Sequence, residues 1–450
     1  MKKIGLYYFT NDLRFNHNEL LSFACDQVDE LIGVVMPIQI SPFVQHHSGE
    51  DQVSGQRLLF WQQSVEDLAK QFEAQNQSLF TMHSSEANDL IQLIETCQVS
   101  HIYCNQHPGS DEYELIREVQ DSLPHTKVIS TSNSTLLHNA KLPFELNKLP
   151  TSFTRFRKLI EANNELLNIT EHSPAPVLPK MPIVLRDNLN IALNIFAINT
   201  SENNQISRAS SQTSVALFEG GENAGVAHIT NYFQHSYASR YKQTRNALDG
   251  MSHSTKFSPW LAVGCLSPKT IIRMLRQYED QYGANESTYW IQFELLWREY
   301  FYWRARATGN ALFTNPQNSH ALGTKAHDAS TKDESAFKRW KTGNTGYPIV
   351  DACMRELNAT GYMSNRGRQL VASCLIYELG CDWRWGAAYF ETQLVDYDVA
   401  SNWGNWSYIA GMNGQQTRHF DLEKQTQMYD PQHEFIQRWA TTNELHQIAK

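Results

Sequence analysis

Glu294, Trp297 and Arg298 stand at i, i+3 and i+4 in the string WIQFELLWREYFYW, residues 290–303. On a helix that spacing brings a carboxylate, an indole face and a guanidinium to one patch. Such a patch can accept a base N–H, stack on a base and hold a phosphate. A buried aromatic helix with one ion pair accounts for the same letters.

Three further stretches carry chemistry. Tyr241 and Arg245 precede the run Ser254, Thr255, Lys256, Phe257, Ser258, Pro259. A hydroxyl-rich turn with a lysine, closed by a proline at a helix's first turn, offers donors to a phosphate. An N-cap at Ser258 is the plainer reading of those letters alone. Asn365, Arg366, Arg368 and Gln369 crowd into five residues around Gly367, whose missing side chain permits close approach of other groups. Asp396 and Asp398 lie two apart in the aromatic string DYDVASNWGNWSY, 396–408. Carboxylates in such a setting need partners, because an unpaired buried charge costs several kcal/mol; Arg368 is an available one. No histidine stands nearby at ligand spacing, so no metal is expected. Adjacent carboxylates also fit glycoside hydrolysis poorly, since that chemistry needs opposed ones.

The elements that must position these residues fall into three parts. Apolar runs at Ile4–Phe9, Glu30–Ile38, Ser78–His83, His101–Asn105 and Lys127–Thr131 alternate with helical spacing, as in Ser54–Gln75 and Ala87–Cys97. Five strands alternating with helices predict a doubly wound parallel sheet over 1–131. No Gly-rich fingerprint follows the first strand, so no dinucleotide motif marks that domain. Residues 132–225 are rich in Pro, Ser, Asn and Gln and read as a connector with some helix at Thr151–Asn163. Residues 226–450 carry helical patterning near 230–249, 268–281, 288–308, 346–359, 365–379 and 384–396, which predicts an all-α domain.

Composition narrows the class. The 450 residues are 41% apolar and 19% charged, and the longest apolar stretch, Leu31 to Ile38, is too short to span a bilayer. Seven cysteines without a C-x-x-C pair fit reduced thiols and a cytoplasmic protein better than a disulfide framework. The net charge of -9 speaks against nucleic acid as a sum but not by its distribution. Residues 1–150 hold 9 Lys and Arg against 19 Asp and Glu, which leaves 29 against 28 for the remainder. Ten of the 11 tryptophans also lie beyond position 259, so the two halves do different work.

Taken together, TKFSPWLAVGCLSP, ELLWREYF, TGYPIVDACMRELNATGYMSNRGRQ and DYDVASNWGNWSYIAG resemble the flavin domain of the photolyase/cryptochrome family, in particular its DASH branch. LPFELNKLPTSFTRFRK, 142–158, is similar to the DASH connector. The resemblance implies a U-shaped FAD among the helices. Tyr241 and Ser254 to Ser258 would hold its diphosphate; Glu294, Trp297, Arg298 and Phe301 would line the cavity. Asp396 would pair with Arg368 beside the isoalloxazine, Asp398 would accept from the ring or sugar, and Asn402 would face N5. It further implies repair of cyclobutane pyrimidine dimers, preferentially in single-stranded DNA, where a flipped lesion is cheaper to obtain. Glu294 would bind the dimer's bases, Trp297 would stack on it, Asn365 and Gln369 would line the lesion site, and Arg245, Arg298 and Arg366 would reach phosphates. Trp406 and Trp383 match the inner two tryptophans of the family's electron path.

The chain also departs from the family's pattern. The outer tryptophan would fall near Ser330, which leaves Trp385, Tyr347 or Tyr408 as other exits. Acidic residues usual in folate-binding members are missing around Gln106 and His107, which speaks against a methenyltetrahydrofolate antenna. The tail 411–418 lacks the family's Asp-Pro-Arg. The rival reading is a blue-light receptor that binds FAD and signals through a partner without repairing DNA. A (6-4) photolyase would want a histidine pair where Asn365 and Gln369 stand.

Overall fold

The computed structural model describes residues 2–35, 37–82, 86–167, 169, 175–187, 195–198, 216–314, 331–412 and 417–441. Five parallel strands form where the sequence predicts them: β1 (Ile4–Phe9), β2 (Glu30–Val35), β3 (Leu79–Met82), β4 (His101–Asn105) and β5 (Lys127–Thr131). Their order is β5-β4-β1-β2-β3, and a sixth strand, β6 (Ile195–Ala197), adds antiparallel to the β3 edge. That strand comes from the connector, where composition predicts no strand. Three residues are too few for a period-2 pattern to show.

Both faces of the sheet are covered, which is why β2 is buried at every position. Alternate side chains serve two cores. Leu6, Tyr8, Ile32 and Val34 pack with Leu90, Leu93 and Ile94 on one side. Tyr7, Phe9, Leu31 and Val35 face the other, and that core runs on without a break into Trp260, Leu296, Trp303 and Trp406 of the helical part.

The helix Glu286–Thr308 is the axis of the helical part. Asn285 caps it in a capping box with Thr288, and it buries residues on every side, from Ile291 and Leu295 to Tyr300, Phe301 and Trp303. The segment expected to be one helix over 230–249 is instead Glu222–Gln234 followed by the short turns Ala238–Arg240 and Tyr241–Thr244. The Tyr232 ring meets both Tyr237 and Phe257, and that packing folds the chain back after Gln234. The segment expected over 365–379 is α-helical for Asn365–Ser373 and widens into a π turn at Cys374–Glu378. Val399–Ile409 forms a helix capped by Asp398, which accepts from the Ser401 N–H at 2.7 Å.

Buried polar contacts join the sheet to the helices. Arg14, 2% exposed, donates to the carbonyls of Gly264 at 3.1 Å and Asn133 at 2.7 Å. Gly264 has φ +78°, and a Cβ there would lie 2.0 Å from the Asn11 carbonyl oxygen, so only glycine permits this approach. Glu299, fully buried, accepts from the N–H of Leu136 at 2.6 Å and from the Trp303 indole at 3.2 Å. Beside it, Arg298 donates to the Ser134 carbonyl at 2.6 Å.

Candidate active site

The helices enclose a cavity of about 280 Å³, room for an organic group rather than a few waters. Thirteen of the residues expected to bind a cofactor line it: Tyr241, Ser254 through Ser258, Glu294, Arg298, Asn365, Arg368, Asp396, Asp398 and Asn402. Arg245, Gln369 and Trp406 line it too, as do Tyr362, Tyr397 and Asn405, which the motifs do not single out. Tyr362 and Tyr397 stand inside the quoted strings, flanking Arg368's stretch and parting the two aspartates, but an aromatic in a helical domain reads first as core.

Part of the lining is cationic and hydroxyl-rich. The helix Ser258–Val263 takes Ser258 as its first residue, with Phe257 at the cap position and no side-chain cap, so Ser258 is not the N-cap. Lys256 is 7% exposed and adopts φ +52°, a conformation costly for a residue with a side chain. That backbone lays its ammonium over the Tyr362 ring, 4.6 Å from the centroid. His228 anchors the same loop through the Thr255 carbonyl at 2.9 Å, and burial lowers its pKa, favouring the neutral ring. Backbone strain of this kind persists where surroundings hold it, here at a turn that directs a cation inward.

The lining also holds a charged pair and an amide. Arg368 donates to both Asp396 oxygens at 2.9 and 2.8 Å, and its Nε donates to the Met363 carbonyl at 2.9 Å. Asn402 commits its amide NH2 to the Ala387 carbonyl at 2.9 Å, which leaves its Oδ1 to the cavity. Asp398 lies 3.7 Å from Arg298 while capping its helix. Hydroxyls, a buried ammonium, an anchored amide and a neutralised carboxylate around one cavity suit the diphosphate and the ring of a flavin dinucleotide.

At the mouth, Glu294 pairs with Arg245, whose guanidinium also covers the Trp290 ring at 4.3 Å. Burial raises the Glu294 pKa and Arg245 only partly offsets it. Arg366 donates to Gln369 at 2.9 Å and lies over the Tyr429 ring at 4.6 Å.

Two residues that the resemblance places at the cavity, Trp297 and Phe301, are not among its lining. Trp297 does not line the cavity; its indole stacks on Phe153 of the connector, centroids 3.7 Å apart and planes 13° apart. The i, i+3 relation to Glu294 holds, but a connector aromatic takes the ring face. Phe301 packs on Gly404, where a Cβ would lie 2.3 Å from the Phe301 ring, so it serves helix contact and not the cavity wall. Arg298 turns inward to the cavity, where it donates to the Ser134 carbonyl at 2.6 Å and to the Leu261 carbonyl at 3.3 Å. Trp383 packs its ring against Trp403 at 5.8 Å, one turn before Gly386, the residue over which the Trp406 ring passes. Ser330 lies outside the described residues.

In the expected antenna stretch, His107 pairs with Glu112 at 3.3 Å. The opposed charge raises the pKa of His107 against its burial and holds that of Glu112 down.

Comparison with known proteins agrees along the whole chain. The family profile for the FAD binding domain of DNA photolyase matches residues 290–449, and that for DNA photolyase matches 5–179. The chain is 47% identical to a cryptochrome DASH of Vibrio parahaemolyticus over 97% of its own length and 93% of the relative's. Against a cryptochrome DASH of Synechocystis it is 39% identical, over 96% and 86%. The solved Synechocystis cryptochrome superposes with a TM-score of 0.83 at 37% identity, covering 98% of this chain and 89% of that one. A class III photolyase of Agrobacterium tumefaciens shares the fold, with a TM-score of 0.78 at 22% identity.

Proposed function

Given that this chain belongs to the photolyase/cryptochrome family and takes FAD as its cofactor, we propose that it is a blue-light repair enzyme acting on cyclobutane pyrimidine dimers in single-stranded DNA. The observation that carries this reading is the Glu294–Arg245 pair, which opens onto the same cavity as Arg368, Asp396 and Asn402. A lesion at the mouth would therefore lie against the cofactor with no wall between them.

The bound flavin, when reduced and excited, supplies the electron that splits the dimer. Ser254, Thr255, Lys256 and Ser258 would hold the diphosphate, and Arg368 with Asp396 would face the ring without net local charge. Glu294 orients the dimer. Its raised pKa lets it donate to a pyrimidine carbonyl when protonated or accept an imide N–H when ionised. Asn365 and Gln369 line the lesion's seat, and Arg245 and Arg366 face the strand's phosphates. Phe153 backs Trp297, so the indole presents at most one face to a base.

Single strands are favoured because an unpaired dimer needs no duplex opening. The three-part division at 1–131, 132–225 and 226–450 is retained in this reading. A cytoplasmic location fits the cysteines, none of the seven being paired in a disulfide. Among the described residues no helix is long and apolar enough to cross a membrane.

The test is repair of a single thymine dimer in a short single strand and in the matching duplex, by chemically reduced, FAD-loaded protein under blue light. Repair of the single strand at least tenfold faster than the duplex is expected. No repair by fully reduced holoprotein would move the assignment to a light receptor that signals through a partner.

A further inference from the structure

Glu356 is a buried acid close behind two residues of the cavity lining. It stands on the helix Pro348–Thr360, is 6% exposed, and its Oε2 has no hydrogen-bond partner among the described residues. A buried carboxyl oxygen left without a partner is costly and calls for a reason. The charges that reach it are those of Lys256 and Arg368. Both cations lie against one ring, that of Tyr362, two residues past the end of Glu356's own helix: the Lys256 ammonium is 4.6 Å from its centroid and the Arg368 guanidinium 5.4 Å.

The two cations differ in what answers them. Arg368 donates to both Asp396 oxygens, so its charge is already met. Among the described residues no carboxylate pairs with the Lys256 ammonium, which is buried on the Tyr362 ring. Lys256 lines the cavity and Glu356 does not, so the ammonium is shared between a carboxyl within the wall and any anion that the cavity holds.

We propose that Glu356 is the inner counter-ion of Lys256, a positioning residue that competes with the FAD diphosphate for this ammonium when ionised and yields it when protonated, so that binding of FAD takes up a proton. The proposal rests on FAD occupying the cavity with its diphosphate at Lys256. An ionised Glu356 leaves Lys256 no net charge to offer the two negative charges of the diphosphate. Once Glu356 has taken one proton from water, the ammonium keeps its full charge for them, and the sum over the three groups goes from minus two to minus one.

Burial pushes the Glu356 carboxyl up to about 8, against the pull of both cations. An anion placed at Lys256 pushes it further the same way. The loaded protein therefore holds the proton more tightly than the free one, and FAD binding should weaken as pH rises past about 8. The other titratable groups packed here are otherwise engaged. Cys353, one turn earlier on the same helix, is a thiol that burial pushes far up, and Asp430, which faces it, accepts from the N–H groups of Phe435 and Ile436 at 3.1 and 3.0 Å. Asp351 accepts from the Thr345 N–H at 2.7 Å, Arg355 donates to the Gly343 carbonyl at 2.6 Å, and Lys341 is paired with Glu50 at 2.8 Å. His228, beside the Lys256 loop, is favoured in its neutral form by burial.

The experiment uses the full chain loaded with FAD. Dialysis to equilibrium against graded free FAD gives the dissociation constant from pH 7 to pH 9 for the wild type, Glu356→Gln and Lys256→Met. The wild-type constant is expected to rise about tenfold over that range. Glu356→Gln, an amide of the same size that cannot ionise, should stay within twofold throughout and bind at least as tightly as the wild type at pH 9. A wild-type constant flat within twofold, or the same rise in Glu356→Gln, would overturn the proposal. Equal weakening of Glu356→Gln at every pH would also overturn it, since a merely structural role does that.

Should Glu356→Gln fail to fold, Lys256→Met carries the test. Its affinity at pH 7 falls, but the rise toward pH 9 should shrink to within twofold, because the charge that Glu356 competes for is gone; a rise as large as the wild type's would sink the proposal. Wild-type protein that holds no flavin at any pH would instead refute the cofactor reading on which it rests.

Discussion

Arg368 grips Asp396 through both carboxylate oxygens, at 2.9 and 2.8 Å, and only 2% of the Asp396 side chain is exposed. The pair joins the helix Asn365–Ser373 to the turn that precedes Val399–Ile409, so it fixes two elements that line the cavity. Arg368 is also held by Met363 and by the Tyr362 ring at 5.4 Å. Its position is set from three sides before any cofactor arrives.

Asp396→Asn removes the charge that answers this guanidinium. Breaking one side of a buried pair costs on the order of 3 kcal/mol, somewhat less here because Arg368 keeps a quarter of its side chain exposed. The expected outcome is a melting temperature lowered by several degrees and a flavin content below half of wild type, measured by thermal melting and by flavin absorbance. Unchanged flavin content would remove the pair from the cofactor's support.

Glu294→Ala separates lesion binding from cofactor binding. Because Glu294 stands at the mouth with Arg245, its loss should cut repair of a single-stranded dimer by roughly tenfold to a hundredfold, the scale of one or two charge-assisted hydrogen bonds. Flavin content should stay within about a quarter of wild type. Parallel loss of both would mean that the side chain holds the cavity rather than the lesion.

Glu299 couples the joint between sheet and helices to pH. Its burial raises the pKa to about 7, against the N–H donors of Leu136 and Leu137 that favour the ionised form. A folded pKa above the unfolded one means that the native state holds the proton more tightly. Stability should therefore fall as pH rises from about 4.5 to 7 and level off above, by on the order of 2–3 kcal/mol in total. Denaturant melts of wild type and Glu299→Gln across that range check this. The variant should lose the slope, and an unchanged slope would assign it to other groups.

Much of the fold is legible in the residues themselves. The five strands follow from short β-rich runs bounded by turns, and the two-faced burial of β1 and β2 follows from apolar runs too continuous for a half-exposed sheet. The Arg368–Asp396 pair is likewise foreseeable, since a carboxylate among aromatics needs a cation and one stands in the neighbouring string. Spacing along a helix also places Glu294 on the cavity side, because period 3.6 is local and independent of what packs against it.

What the tertiary structure alone decides is which face of each side chain is already taken. Helical spacing puts Trp297 beside Glu294, but Phe153, over 140 positions away in the chain, covers its ring. Arg298 carries the donors of a phosphate contact, yet it gives one to the Ser134 carbonyl and another to the Leu261 carbonyl inside the protein. Trp383 matches an electron carrier by its place in a motif, and only packing sets its ring against Trp403. Residue type and spacing set what a side chain can do. Long-range packing sets what remains free to do it, because each ring face, donor and charge can be satisfied only once.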